Sequence, residues 1–143
     1  MSNSMPIPQG NYVPAQRVGN MVYTSGMTPR QDGELKVTGQ IPANANIEEY
    51  RFAVELACGN ALTAARGQML EGEFIDQIVS MSVFIAAEAG FTTHAKLADF
   101  ASNYLFAELG DRGIGARAAI GVATLPGNAP VEIQLTAAVK SGE

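Results

Sequence analysis

Residue types that carry much familiar protein chemistry are scarce in this sequence, which has no tryptophan, one cysteine and one histidine among 143 residues. A single Cys and a single His cannot furnish a four-ligand zinc site, a disulfide framework or a paired-histidine acid–base site within one chain. Positive charge is also short. Nine Lys and Arg stand against 14 Asp and Glu, a formal net charge of −5. A polyanion would meet an unfavourable long-range field, since phosphate contacts by Lys and Arg supply most non-specific affinity. Nucleic acid is therefore a disfavoured partner. The N-terminal MSNSMPIPQGNY has neither a basic region nor a continuous apolar stretch, and later apolar windows are broken by Ser, Gly, Glu or Asp. The expectation is a cytoplasmic protein with no export signal and no membrane span; an unpaired Cys58 agrees with a reducing compartment.

What is present suffices for a core: 47% of residues are hydrophobic and 16% charged, too apolar a balance for disorder. No repeat, charge block or Gly/Ser tract divides the chain, so residues 1–143 are expected to form one domain. The pattern opens with two short β segments, Tyr12 to Val18 and Met21 to Ser25, joined by Gly19-Asn20 as a turn signal. After a polar, Gly-containing stretch from Pro29 to Ala45, Asn46 with Glu49 gives an N-cap signature for a helix reaching about Met69. Ala53, Ala57, Ala61 and Ala64 recur on one side of it, small enough to lie close against a sheet. Ile75 to Ala86 alternates as a strand. Thr92 or Thr93 opens a second helix with Leu97, Ala101, Tyr104, Leu105 and Leu109 on its apolar side and Gly110 to stop it. Strands Arg117 to Leu125 and Val131 to Ala138 flank the turn-rich Pro126-Gly127-Asn128. The order is β-β-α-β-α-β-β, an α+β pattern in which both helices cover one face of a sheet.

Parity along the last two strands places Ile120, Val122, Val131, Ile133 and Leu135 under the helices. Arg117, Ala119, Gly121, Glu132, Gln134 and Thr136 fall on the other face. That small, polar face fits either solvent exposure or a sheet-to-sheet subunit interface. If Pro126 to Asn128 makes a simple hairpin, Ala123 faces Glu132 and Arg117 lies roughly 20 Å further along at about 3.3 Å per residue, so one subunit would not unite them. Cys58, among alanines, reads as a small buried hydrophobe, and His94 as a solvated residue at a helix start. The glycines make no phosphate-loop spacing.

The stretch RAAIGVATLPGNAPVEIQLTA from Arg117 resembles the C-terminal signature of the RidA/YjgF family: an Arg opening a strand, Leu125-Pro126 eight and nine residues on, and Glu132 in the next strand. GNYVPAQRVGNMVYTSGMTP is similar to the opening hairpin of the same family, with Tyr12 and Ser25-Gly26 where members line a pocket. The closing VEIQLTA and the longer loop before Arg117 are most similar to the branch labelled YjgF/chorismate-mutase-like endoribonuclease. The resemblance implies a chorismate-mutase-like α+β fold with one mixed sheet and two helices on one face, and a homotrimer with clefts between subunits. It also implies hydrolytic deamination of reactive enamine or imine intermediates to 2-keto acids and ammonia.

In that reading Arg117 and Glu132 are the catalytic candidates, and Tyr12, Ser25, Gly26, Asp99 and Ala119 the substrate-binding ones, with no metal or cofactor. The partner is a small metabolite bearing a carboxylate. A planar guanidinium can hold that carboxylate through two parallel hydrogen bonds, and a protonated imine needs a positioned water and a proton acceptor more than a strong nucleophile. Two positions depart from the family pattern. Ala119 stands where many members have Cys, and Asp99 where the better-known ones have Asn; an ionised Asp beside a substrate carboxylate would repel it. The alternative from another class is a module that binds or senses 2-keto acids without turnover. Ribonuclease activity is less favoured, given the charge and the lone His.

Overall fold

A computed structural model describes residues 4–142. In chain order it contains β1 (Ala15–Val18), β2 (Met21–Thr24), β3 (Arg30–Gln31), β4 (Glu34–Leu35), α1 (Arg51–Arg66), β5 (Glu73–Ala86), α2 (His94–Leu109), β6 (Ala116–Val122) and β7 (Val131–Ser141). Five strands make one mixed sheet in the order β1-β2-β7-β5-β6, and β3 and β4 make a separate two-stranded hairpin. Only β5 and β6 run parallel, bridged by α2; the other neighbours are antiparallel. The small β3–β4 hairpin falls inside the stretch that the sequence pattern leaves as a loop, because strands of two residues carry no periodicity to detect.

Local chemistry accounts for the elements. Gly19 turns β1 into β2 with a φ of +59°, a region open to glycine at no steric cost. Asn46 caps as expected, its Oδ1 accepting from the Glu48 N–H at 3.2 Å, but it caps a 3-10 turn over Ile47–Tyr50, and the α-helix proper starts at Arg51. The alanines at 53, 57, 61 and 64 are all buried, which lets α1 lie flat on β7 and against α2. Cys58 sits at that helix–helix contact, buried, with its thiol donating to the Ala101 carbonyl at 3.7 Å. Gly110 stops α2 with a φ of +66° while its N–H donates to the Phe106 carbonyl. Leu62, Leu97, Leu105, Ile133 and Leu135 are fully enclosed between the helices and the sheet; truncating one such Leu to Ala removes about 2–5 kcal/mol.

Two expectations about the last strands fail. Residues 126–128 do not close a hairpin: β5 lies between β6 and β7. Helix α2 carries the chain back parallel to β5, so β6 takes one edge of β5 while β7 holds the other. The parity of β6 is also inverted. Arg117, Ala119 and Gly121 pair with Met81, Val83 and Ile85, the residues of β5 buried beneath the helices, so it is they that face α2. Ile120 points to the open face, 42% exposed. The cause is proximity: a Cβ on Gly121 would lie 2.7 Å from His94 Nε2, so the strand turns its smallest residues toward the helix. On β7 the alternation is as expected, with Val131, Ile133 and Leu135 buried and Glu132, Gln134 and Thr136 on the uncovered face.

Candidate functional site

The expected site residues fall into two groups. The first gathers where β2 ends beside the start of β7. The Ser25 hydroxyl donates to the Val13 carbonyl at 2.6 Å and its N–H to the Pro14 carbonyl at 2.9 Å. Just beyond, Met27 and Ile133 exchange both backbone hydrogen bonds at 2.8 Å. This pinned segment lays Gly26 directly against the Glu132 side chain: a Cβ there would stand 2.7 Å from Cδ and 2.9 Å from Cγ. Any larger residue would have to displace the Glu132 side chain, because backbone and carboxylate approach so closely. Glu132 is half-buried, and burial pushes its carboxyl above the usual carboxylate range. It has no hydrogen-bond or ion-pair partner among the described residues. Tyr12 is 46% exposed, and its hydroxyl accepts from the Gln9 N–H at 3.1 Å. Tyr12 and Gly26 share the wall of a cleft that also includes Met5, Ile7, Met27 and Asn60.

The second group surrounds Arg117 near the start of β6. Its Nη1 donates to Asp99 Oδ1 at 2.8 Å and to Ser102 Oγ at 3.0 Å, and Nη2 donates to the Ala95 carbonyl at 3.2 Å. Residues 95, 99 and 102 share one side of α2 by helical spacing, so the helix presents a prepared socket for the guanidinium. The Arg117 side chain is 23% exposed and that of Asp99 58%. Of the five N–H donors of a guanidinium, Nε–H and one Nη2–H remain without a partner among the described residues. Ala119, two residues along the strand, packs against the hydrophobic core.

Within one chain the two groups do not converge. Arg117 pairs with Met81 and Glu132 with Phe84, so β5 lies between them, and the two side chains leave opposite faces of the sheet. The expectation that one subunit would not unite them rested on a hairpin at 126–128 and lapses with it; the separation within the chain comes from β5 lying between β6 and β7. His94 opens α2 as expected and is partly exposed, its ring edge-on to Phe91 at 4.9 Å between centroids. Cys58 is buried, and desolvation raises its thiol far above the ordinary range; such a thiol is inert as a nucleophile.

Among the described residues no group of three His, Cys, Asp or Glu is placed to hold a metal ion, and no helix is long and apolar enough to cross a membrane. Sequence reasoning missed Ser102, whose signal was its position three residues after Asp99 on the same helix face. It also missed Asn60, a polar residue within the alanine run of α1, whose Nδ2 donates to the carbonyls of Thr28 and Arg30 at 3.1 and 2.8 Å.

The sequence profile described as Endoribonuclease L-PSP matches residues 2–139. Protein TCP17 of Trypanosoma cruzi is 28% identical over 127 residues, covering 88% of this chain and 79% of its own length. Atu1372 of Agrobacterium tumefaciens, a protein of unknown function, superposes with a TM-score of 0.82 at 34% identity, over 94% of this chain and 86% of its own. TdcF of E. coli, solved with bound serine, superposes with a TM-score of 0.66 at 25% identity, over 94% and 92% of the two chains. The α+β fold is the one these structures share.

Proposed function

Because the chain belongs to the Endoribonuclease L-PSP, or YjgF/RidA, family, we propose that it hydrolyses reactive enamine and imine intermediates to 2-keto acids and ammonia. In this reading it is cytoplasmic, uses no metal or cofactor, and works in clefts between the subunits of a homotrimer. The observation that carries the reading is Glu132: a half-buried, unpartnered carboxyl whose affinity for a proton is raised by burial, held in place over Gly26. A carboxyl whose proton affinity is raised by burial is better suited to take up and return a proton. An enamine first takes a proton on carbon to become the imine. Water adds to the imine carbon, its proton passing through Glu132 to nitrogen; the C–N bond then breaks, ammonia leaves and the carbonyl forms. One water is consumed for each ammonia released.

Arg117 of a neighbouring copy supplies the substrate's anchor. Its two uncommitted donors, on Nε and Nη2, are offered to the carboxylate, while Asp99, Ser102 and the Ala95 carbonyl hold the guanidinium from the α2 side. Tyr12, Ser25 and Gly26 border the water-bearing side, and Ala119 lies in the strand behind Arg117. The same geometry supports an assembly in which copies meet across the sheet. The uncovered face of the sheet carries Ser80, Ser82, Ala116, Ala118 and Thr136, small residues that allow close approach of another copy, with Gln134 among them. Serine bound to TdcF has the carboxylate and nitrogen that such an imine also presents.

A second reading, binding of 2-keto acids without turnover, is favoured by one observation: Asp99 already neutralises much of the Arg117 charge. Ribonuclease activity, which the family description names, is opposed by the net charge of −5 and by a single His packed edge-on to Phe91.

The test couples an amino-acid oxidase or dehydratase to the protein and follows imine loss and keto-acid formation, with assembly mass checked for each variant. Wild type should accelerate hydrolysis as a species of three 15.0 kDa chains. Arg117→Ala should lose on the order of 2–5 kcal/mol of ligand binding, and Arg117→Lys, which loses the planar fork, should also be impaired. Full activity in a correctly assembled Arg117→Ala removes Arg117 from the mechanism, and a lone monomer removes the shared cleft. An inactive wild type that binds keto acids through Arg117 turns the reading to the second one. RNA cleavage that is lost in Arg117→Ala overturns both.

A further inference from the structure

The β2 ladder against β7 breaks after Tyr23 and resumes as an isolated bridge. Tyr23 pairs with Thr136, and the bridge joins Met27 to Ile133. Between these two pairs the chain advances four residues on the β2 side and three on the β7 side. The extra residue makes a β-bulge, a device that re-aims a side chain at the expense of ladder hydrogen bonds. Gly26 lies inside it, with the Glu132 side chain pressed against its backbone.

Side chains take over where the ladder fails. The Leu135 N–H donates to Thr24 Oγ1 at 2.9 Å, and the Ser25 hydroxyl donates to the Val13 carbonyl at 2.6 Å. Both bonds stay within the sheet and the segment that leads into it. The next support comes from the helix layer. Asn60 on α1, 6% exposed, donates through Nδ2 to the carbonyls of Thr28 at 3.1 Å and Arg30 at 2.8 Å. The Thr28 carbonyl also accepts the Arg30 N–H at 2.8 Å, and the Pro29 carbonyl accepts the Lys36 N–H at 2.9 Å. The chain thus kinks around Pro29 with three successive carbonyls occupied. An amide among the buried alanines of α1 is costly unless it is hydrogen-bonded, and the kink is what this one bonds.

We propose that Asn60 is a positioning residue for Glu132: by tying Thr28 and Arg30 to α1, it fixes how closely the bulged Gly26 backbone approaches the carboxyl. The Met27–Ile133 bridge sets the register of the segment along β7, and Asn60 holds the segment down on the helix side. With the tie cut, the segment pivots about the isolated bridge, the contact on Glu132 loosens and water reaches the carboxyl. This role rests on Glu132 moving the proton in the deamination reading, but it is read on Glu132 itself, without turnover.

The test is an NMR titration of the Glu132 carboxyl in the full-length assembled protein, beside kcat and KM from the coupled imine assay. Asn60→Leu keeps roughly the side-chain size and removes both donors; Asn60→Ser keeps one donor on a shorter arm. The control is Ile78→Val, a trimming of the core opposite Ala137. In Asn60→Leu the Glu132 midpoint should fall toward the ordinary carboxylate range by roughly half a unit or more, and in Asn60→Ser by less. In Asn60→Leu kcat should drop on the order of tenfold while KM, set by the Arg117 anchor, stays within about twofold. Ile78→Val should leave the titration where it is. The proposal is overturned if Glu132 titrates as in wild type in assembled Asn60→Leu, or if Ile78→Val moves it as far. It also falls if neither Asn60 variant assembles, since Asn60 then serves the fold alone. A wild type inactive on imines whose Glu132 still shifts in Asn60→Leu refutes deamination and supports the positioning role.

Discussion

Replacing Gly26 with alanine should disable Glu132 while leaving the fold intact. The backbone at Gly26 does not have a positive φ, so alanine is conformationally acceptable there and the strain falls on its neighbour. The new Cβ would stand 2.7 Å from Glu132 Cδ, which must retreat to about 3.4 Å, the start of ordinary contact; the carboxylate oxygens must move further. Displacing a flexible side chain into a poorer rotamer costs about 0.5–1.5 kcal/mol, and the loss of glycine's freedom in the unfolded chain returns about 0.4–1 kcal/mol. Net stability should therefore change by about 1 kcal/mol or less. Function should suffer far more, because a misplacement approaching 1 Å at a reacting group costs on the order of 100-fold. A carboxylate pushed outward also regains water, so its raised proton affinity should relax toward the ordinary range. The measurements are kcat/KM in the coupled imine assay, the melting temperature, and an NMR titration of the Glu132 carboxyl. Wild-type activity with an unmoved Glu132 titration would falsify the close-approach reasoning. A fall in melting temperature of more than about 8 °C would show the clash being absorbed by backbone, not by the side chain.

Glu132→Gln should stabilise the protein at neutral pH: the folded carboxyl titrates above its unfolded value, so its destabilising effect sets in as pH rises through that window and is absent below it. A melting-temperature difference that does not vary with pH would contradict this. Glu73 behaves oppositely. Its bidentate hydrogen bonds from Arg17 at 2.6 and 2.9 Å, and one from the Leu70 N–H, hold its carboxyl down to about 2. The stability it adds is full above its ordinary value near 4.5 and is lost as pH falls toward 2, so Glu73→Gln should flatten the acid limb of the melting curve. Cys58 should resist thiol reagents in the native protein and react once per chain in denaturant; rapid native labelling would refute its enclosure between α1 and α2. Asp99→Asn keeps the hydrogen-bond acceptor but removes the charge facing Arg117, and should tighten keto-acid binding a few-fold, in line with about 0.2–1 kcal/mol for an exposed pair. Unchanged affinity in titration calorimetry would show that the Asp99 charge does not compete with the ligand.

Much of this molecule is legible where cause and effect lie within a few residues. The Gly19 turn, the alanine side of α1, the Gly110 stop and the alternation of β7 each follow from backbone sterics or from a periodicity visible in one segment. The residues of the two family-like stretches could be named for the same reason, since a motif is itself a local pattern. Asn46 was legible as a cap but not as the cap of a 3-10 turn, because the same side chain can cap the first turn of either helix type.

Long-range pairing decided the rest. A turn such as Pro126-Gly127-Asn128 serves a hairpin or a crossover equally well; only the position of α2 over β5 sends β6 to the far edge of the sheet. The facing of β6 was likewise open, because Ala, Gly and Ile alternate too weakly in hydrophobicity to outweigh the close approach of His94 over Gly121. That facing turns Arg117 into the socket on α2 and leaves Glu132 on the opposite side of the sheet. The chain by itself therefore determined which residues could be named as candidates and which segments hold them. Which of them can meet was settled by strand order and helix placement, interactions between segments tens of residues apart whose free energies have no signature in any single window of sequence.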